Sequence, residues 1–276
     1  MGFLTNFFYN LLVLFTAVIP GHYIWISIVL ITLIIRFVFV KPTYSMLKTQ
    51  NKQKGVQKHL NEIKEKYKDD KAAQQKAIME LYKEQGINPL GSCLPLIAQM
   101  VLLIGFYGVF RLGDLAVLKP ELLYDFVPKP DSLNVWFFGV NLSQTVAEVV
   151  KGPVGWVGFI FPVLTAGTQL FQSFQSRSLQ PKSQEGDKTG DMMKAMNTQM
   201  VYFFPLITAY ISYTLPTALS IYWITQTVFM VVQQHFIIKK FQTEEIVAEE
   251  VAEAIGAKDI KQFKKGGVNV TVREKK

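Results

Sequence analysis

The sequence predicts an all-α membrane protein with five transmembrane helices, a cytoplasmic helical hairpin and an N-terminal interfacial amphipathic helix. Half of the 276 residues are hydrophobic. They are pooled into long runs, whereas a soluble domain of this size would mix them with polar residues. The runs are continuous and do not alternate with period two, which favours helices over the strands of a barrel. Lysine and arginine residues are concentrated in alternate connecting segments, as five spans require.

Residues 1–21 form the first predicted element, an amphipathic helix. Apolar side chains recur at helical spacing from Phe3 to Ile19, and Pro20 and Gly21 end the pattern. We interpret this helix as lying in the membrane interface, and the alternative is a sixth span or an atypical signal anchor. Its polar residues fall mostly off the apolar stripe: Thr5, Asn6, Tyr9, Asn10 and Thr16.

A membrane-spanning core is predicted at residues 22–240, followed by a tail at 241–276. Five apolar runs in the core have the length of membrane spans. They are about 22–41, 92–111, 155–175, 198–215 and 217–238. The last two spans are separated by almost nothing, around Leu215-Pro216-Thr217, so they are expected to form a tight hairpin.

The charge distribution predicts the orientation of the chain. Segment 44–86 carries ten lysines and the chain from residue 239 onward carries nine lysines and arginines, whereas loop 113–153 has three lysines and five acidic residues. Basic segments stay in the cytoplasm. The N-terminus and loop 113–153 are therefore predicted outside, and the hairpin 44–86, the loop 176–197 and the tail are predicted inside.

The hairpin 44–86 is predicted to contain two helices. Asp69 and Asp70 provide a break and an N-cap for the second helix, and Gln85 and Gly86 provide its stop. The segment is either a solvated basic loop that fixes topology or a docking surface for an acidic or apolar partner. The basic tail likewise either contacts nucleic acid or anionic lipid or is a disordered, solubilising end.

Motifs of enzymes are missing from the sequence. A single cysteine gives no disulfide framework within the chain, and this cysteine and three scattered histidines do not have metal-ligand spacing. There is no glycine-rich phosphate loop after a strand and no Gly-x-Ser-x-Gly nucleophile motif. We therefore predict neither catalysis nor a cofactor or metal.

Arg36 is the residue most indicative of function, because it lies inside the first predicted span. An arginine at the centre of a bilayer costs about 2.5–3.5 kcal/mol on insertion scales. Thr32 shares its helix face, and Gln99 is a polar residue of the second span. Either these groups form a hydrophilic pocket, or Arg36 extends its side chain to the cytoplasmic interface, since Lys41 lies only about 7.5 Å further along the helix. The later spans carry further polar residues: Thr165, Thr168, Gln169, Thr225, Gln226 and Thr227.

Three stretches resemble the YidC-type membrane protein insertases (YidC/Oxa/Alb family). Residues 30–36, followed by Lys41-Pro42, resemble the first core span of that family, and residues 81–100 are the most specific match. The final span contributes Pro216, Leu219, Tyr222-Trp223 and Gln233-Gln234. The resemblance covers roughly 22–240 with the order of the five spans intact. An asparagine that is common in the family after the Tyr-Trp pair is replaced near Gln226-Thr227, so no role is carried to that position.

The resemblance implies a bacterial inner-membrane insertase and chaperone that works alone or beside the Sec translocon. Arg36 would receive polar or acidic segments of nascent membrane proteins in a water-filled groove, and Thr32 and Gln99 would line it. Tyr222 and Trp223 would belong to the face along which a substrate helix enters the lipid. The hairpin would recruit substrate, the basic tail would contact the ribosome, and the chain would be a monomer.

Two other classes of function stay open. A small-solute transporter or channel would place polar residues across the full depth of the membrane, and a scaffold would tether partners through the hairpin and the tail. Here the polar residues are biased to one side of the spans, which favours the insertase.

Overall fold

The computed structural model describes residues 2–88, 94–153, 155–179, 188–255, 263–265 and 268–270. These residues are mostly helical, in agreement with an all-α membrane protein. The structure does not describe the side chains at 94–98, 178, 188–198, 200 and beyond 244. It also does not describe residues 180–187, which lie in the predicted cytoplasmic loop 176–197. The first six helices are α1 Phe3–Val18, α2 Ile24–Val38, α3 Val40–Gly55, α4 Gln57–Lys66, α5 Lys71–Glu84 and α6 Leu94–Phe110.

The second half begins with short elements and ends with long helices. Strands β1 Trp136–Phe137 and β2 Val140–Asn141 form an antiparallel hairpin, and so do β3 Phe263–Lys265 and β4 Val268–Val270. Chain contacts divide the molecule into two units, 1–231 and 232–276. The remaining helices are α7 Val146–Val149, α8 Gly155–Gly158, α9 Ile160–Ser176, α10 Lys188–Thr214 and α11 Thr217–Ile255.

Length and composition identify one described helical stretch that can cross a membrane, Gly155–Ser176. A second stretch qualifies if α2 and α3, which are bent by 57° relative to each other, are counted as one span. The 15 residues of α2 reach only about 22 Å, less than the hydrocarbon thickness of about 30 Å. The number of spans therefore stays a prediction.

The first predicted span ends earlier than expected, at Val38 instead of residue 41. Pro42 is the third residue of α3, and a proline is tolerated only in the first turn of a helix. In one continuous helix its ring would meet the carbonyl of Val38, four residues earlier, and its missing N–H would leave that carbonyl without a bond. An interior proline therefore kinks or breaks a helix: α10 continues through Pro205, whereas here the chain bends at Phe39 and restarts as α3.

Segment 44–86 contains parts of three helices instead of the predicted two, because a break at Val56 separates α3 from α4. The predicted N-cap of α5 is observed, because the Asp70 carboxylate accepts hydrogen bonds from the backbone N–H groups of Ala72 and Ala73. Helices α4 and α5 pack against each other, and Gln74 Nε2 donates to the Lys64 carbonyl at 3.0 Å.

Helix α1 packs against α6 and α2, and several of the polar residues that lie off its apolar stripe are buried. Tyr9, Asn10 and Thr16 are buried, while Phe3 and Val18 are exposed. Tyr9 and Asn10 are buried because backbone groups of loop 113–153 need hydrogen-bond partners. The hydroxyl oxygen of Tyr9 accepts a hydrogen bond from Lys119 N at 2.7 Å. Asn10 bonds the Leu122 carbonyl and Tyr124 N–H. The polar side chains of α1 thus fix the loop 113–153 in place.

Loop 113–153 is a folded cap rather than an irregular connection. Its apolar side chains join the same core as α1, α2 and α6. Asn134 pairs with the chain before α2, because its carbonyl accepts from Ile24 N at 3.0 Å. The Gln144 carbonyl accepts from Thr217 N at 2.8 Å. The cap therefore satisfies N–H groups that the first turns of α2 and α11 would otherwise leave unpaired.

The predicted tight connection between the last two predicted spans is observed. Helix α10 ends at Thr214, α11 begins at Thr217, and the hydroxyls of Ser212 and Ser220 bond across the turn at 2.7 Å. Helix α11 runs to Ile255, well past the predicted span end at 238.

Candidate functional site

Arg36 turns into the protein instead of extending towards water. It lies in the last turn of α2, and only 6% of its surface is exposed. Its Nη2 donates hydrogen bonds to the Oε1 atoms of Gln99 on α6 and Gln226 on α11. Three helices that are distant in sequence therefore meet at one guanidinium group.

A second layer holds Gln99 in position. Its Nε2 donates to the hydroxyl of Tyr222 at 2.9 Å, so the amide oxygen is left to face Arg36. Tyr222 is fully buried, and its ring packs against Phe106 on α6 with centroids 5.0 Å apart. An aromatic residue with a satisfied hydroxyl is a rigid support. We call Arg36, Gln99, Tyr222 and Gln226 the arginine cluster.

The arginine cluster contains a positive charge without a negative one. No ion pair to Arg36 is found among the residues that the structure describes. Its buried Nε has no hydrogen-bond partner in that part of the chain either. A guanidinium has five N–H donors, and a buried charge without a counter-ion is costly. The site is therefore suited to accept an anionic group from outside the chain, and a carboxylate fits the geometry of a guanidinium.

Thr32 and Trp223, two of the residues predicted for the site, lie outside the arginine cluster. Thr32 is fully buried one turn before Arg36, but its hydroxyl donates to the Ile28 carbonyl of its own helix at 2.6 Å. Trp223 points to α9, where its Nε1 donates to Gln169 Oε1 at 3.4 Å. Since adjacent residues of a helix do not share a face, Tyr222 and Trp223 serve different neighbours.

A polar stripe on α9 faces the Trp223 side of α11. Thr165, Gln169 and Gln172 recur at helical spacing, and Gln172 Nε2 approaches the Met230 sulfur at 3.7 Å. The hydroxyl of Thr165 is buried without a partner among the described residues. This stripe provides a second set of polar groups beside the arginine cluster.

Gln226 belongs to the arginine cluster but is not among the site residues predicted from the sequence. The sequence shows it only as one of several polar residues of the last span. A helical signal was present, because Gln226 follows Tyr222 by four residues and so shares its face.

A cavity of about 420 Å³ lies apart from the arginine cluster, at the end of α5. Met79, Tyr82 and Lys83 contribute to its mixed apolar and charged lining. Burial raises the pKa of the Tyr82 hydroxyl, so this group stays a neutral donor. The lining agrees with the docking-surface interpretation of segment 44–86 but does not identify a partner.

Comparison with known proteins matches residues 15–245 to the family described as 60Kd inner membrane protein. The membrane protein insertase YidC of Fusobacterium nucleatum is 30% identical over 241 residues, covering 85% of this chain and 98% of that protein. The YidC of Chlorobaculum tepidum is 29% identical over 240 residues, covering 87% of this chain. That of Prosthecochloris aestuarii is 30% identical over 229 residues. The chain spans 37% and 35% of the length of these last two relatives.

Proposed function

The chain belongs to the 60Kd inner membrane protein family, alongside relatives that are membrane protein insertases, and we propose that its insertase activity works through the arginine cluster. In this proposal, Arg36 receives the polar or acidic segment of a nascent membrane protein. The apolar helix of the substrate then passes into lipid. The protein thereby acts as a chaperone for its substrate without a chemical reaction or a nucleotide.

The observation that carries the proposal is the unpaired buried charge. Arg36 has two neutral acceptors, Gln99 and Gln226, which share a single nitrogen, and it keeps an unused donor at Nε. Amide oxygens are weaker partners for a guanidinium than carboxylates are, because charge-assisted bonds are roughly twice as strong as neutral ones. A substrate carboxylate can therefore displace one amide and gain a stronger partner.

The polar segment of the substrate must cross the apolar part of the membrane. Each polar group that enters hydrocarbon without a partner costs several kcal/mol. A hydrated groove shortens the apolar distance, and Arg36 offsets part of the cost for acidic segments. Burial of about 20 apolar residues in lipid then drives the substrate forward.

The other predicted site residues take supporting roles in the proposal. Thr32 forms the wall of the groove one turn from Arg36, and Gln99 forms its polar lining. Tyr222 holds Gln99, and Trp223 belongs to the α9–α11 face along which the substrate helix slides. Gln226 joins this set as the second acceptor of Arg36.

The proposed arrangement in the membrane has five spans within a core at 22–240, in the bacterial inner membrane. The N-terminus and cap 113–153 lie outside, and the hairpin 44–86, loop 176–197 and tail 241–276 lie in the cytoplasm. Helix α1 lies in the outer interface, which is supported by its exposed Phe3 and Val18. The hairpin recruits substrate and the tail contacts the ribosome. The chain works as a monomer, alone or beside the Sec translocon.

Site-specific photocrosslinking to a stalled nascent membrane protein tests the proposal. A photoreactive amino acid at Gln99 or Trp223 is expected to crosslink the acidic translocated segment and the apolar helix, respectively. The same probe at Lys129, an exposed residue of the cap to which the proposal assigns no substrate contact, is the control for random proximity. Absence of crosslinks at both Gln99 and Trp223, with intact insertion activity, would contradict the groove.

A further inference from the structure

The hairpin β1–β2 in the cap carries an exposed aromatic tip. Phe138 and Gly139 connect the two strands, and both have positive φ, 47° and 83°. Such two-residue connections favour Asn-Gly, because an asparagine tolerates this backbone conformation and a bulky residue does not. Phe138 is nevertheless there with 85% of its surface exposed, and Trp136 is 55% exposed. The chain therefore holds an apolar side chain in a strained position that the described residues leave largely uncovered.

The position of the tip relative to Gly155–Ser176 indicates what covers it. This stretch is long and apolar enough to cross a membrane, and little of it is buried within the protein. Its exposed apolar residues form one continuous stripe at helical spacing: Trp156, Phe159, Ile160, Val163, Leu164, Phe171 and Phe174. A stripe of this kind on a membrane span faces lipid. Trp156, 74% exposed at the start of the stretch, is in the place where tryptophan marks the boundary of a bilayer.

The hairpin is attached to the same end of that stretch. Phe137, between the two exposed aromatic residues, packs its ring against Phe161 in the first turn of α9, with centroids 6.1 Å apart. Phe137 also packs against Trp25 in the first turn of α2, at 5.4 Å. Phe161 follows Trp156 by five residues along the stretch that can cross a membrane. The hairpin is therefore attached near the end of the stretch that Trp156 marks.

We propose that Trp136 and Phe138 insert into the headgroup–acyl boundary of the leaflet at which α8 begins, so that the cap is anchored to the bilayer surface. The partner is lipid, and aromatic side chains suit a boundary of this depth, about 5–10 Å into the leaflet. The anchor fixes the height of the cap, and through Gln144 and Asn134 the cap holds the first turns of α11 and α2. These two helices carry Gln226 and Arg36.

A fluorescent probe at the tip tests the insertion. Cys93 is the only cysteine of the chain, so Cys93→Ser provides a background for Phe138→Cys labelled with an environment-sensitive dye. The full-length protein is reconstituted in phosphatidylethanolamine–phosphatidylglycerol vesicles. We expect blue-shifted emission, quenching by lipids with a nitroxide near the headgroup, and protection from aqueous iodide. Lys129→Cys, exposed in the same cap, is the matched control and should be quenched by iodide alone.

Two results would overturn the anchor. Iodide quenching at position 138 equal to that at position 129 would place the tip in water. Blue-shifted emission without any quenching by nitroxide lipids would mean that protein, for example a second copy of the chain, covers the tip.

Discussion

Gly105 on α6 faces the ring of Phe8 on α1, and this contact gives a quantitative test of how α1 is docked. A Cβ atom at residue 105 would lie 2.3 Å from Cδ2 of Phe8 and 2.5 Å from Cε2. The ring has little room to move away, because Phe8 is buried and packs on Phe106 with centroids 5.1 Å apart. The substitution Gly105→Ala must therefore shift α1, α6 or the aromatic stack.

The expected loss can be separated from the change in helix propensity. Gly167 on α9 is also helical and exposed, and a Cβ there would meet nothing within 4 Å. Both alanine substitutions gain about the same propensity, up to about 1 kcal/mol. The difference between the two variants therefore isolates the clash, for which overpacking of a core predicts about 1–3 kcal/mol.

The assay is the free energy of unfolding of each purified variant in the same detergent micelles. Gly105→Ala should be less stable than Gly167→Ala by about 1–3 kcal/mol, and Phe8→Val should restore part of the loss in the Gly105→Ala background. Equal stabilities for Gly105→Ala and Gly167→Ala would refute the docking of α1 on α6.

Three further substitutions test other contacts. Gln226→Glu gives Arg36 a carboxylate from its own chain. The rate of insertion of a substrate with an acidic tail should therefore fall about tenfold, as a difference of about 1.4 kcal/mol implies. Faster insertion would contradict the role of Arg36. Asn10→Leu leaves the N–H of Tyr124 unpaired in the cap and should lower the free energy of unfolding by about 1–3 kcal/mol, and an unchanged value would argue against this contact. Asp70→Ala removes an N-cap worth about 0.5–2 kcal/mol, so amide hydrogen exchange in α5 should accelerate while the rest of the chain is unaffected.

Sequence patterns predicted the elements whose signals are local. The Asp70 cap needs only its own side chain and the two following N–H groups, and the turn between α10 and α11 follows from Pro216 and its neighbours. Local sequence patterns could not predict that the Arg36 side chain turns into the protein. Its depth in the helix allowed both a pocket and an extended side chain, and the choice depended on acceptors in α6 and α11, 63 and 190 residues away.

The partners of α1 depend on long-range contacts. They could not be predicted from its own pattern, because an amphipathic pattern does not specify what covers the polar face. In the fold, Tyr9 and Asn10 bond the backbone of loop 113–153, more than 100 residues away. The bend at Phe39 was in principle predictable, because a proline inside a helix favours a kink or a break. The apolar run gave no sign of the bend, because hydrophobic residues continue past Val38, where α2 ends.

Charge reversal at Arg36 tests the central claim most directly. The measurement is the rate of insertion into proteoliposomes of two single-span substrates that differ only in one residue of the translocated tail, aspartate or lysine. A charge-assisted hydrogen bond contributes about 1.5–3 kcal/mol, which corresponds to about 10- to 150-fold in rate. The protein should prefer the aspartate tail, and Arg36→Glu should reverse the preference. The preference of each variant is the ratio of its two insertion rates, so a loss of folded protein that lowers both rates equally does not change it. An unchanged preference in Arg36→Glu would show that Arg36 does not contact the translocated segment.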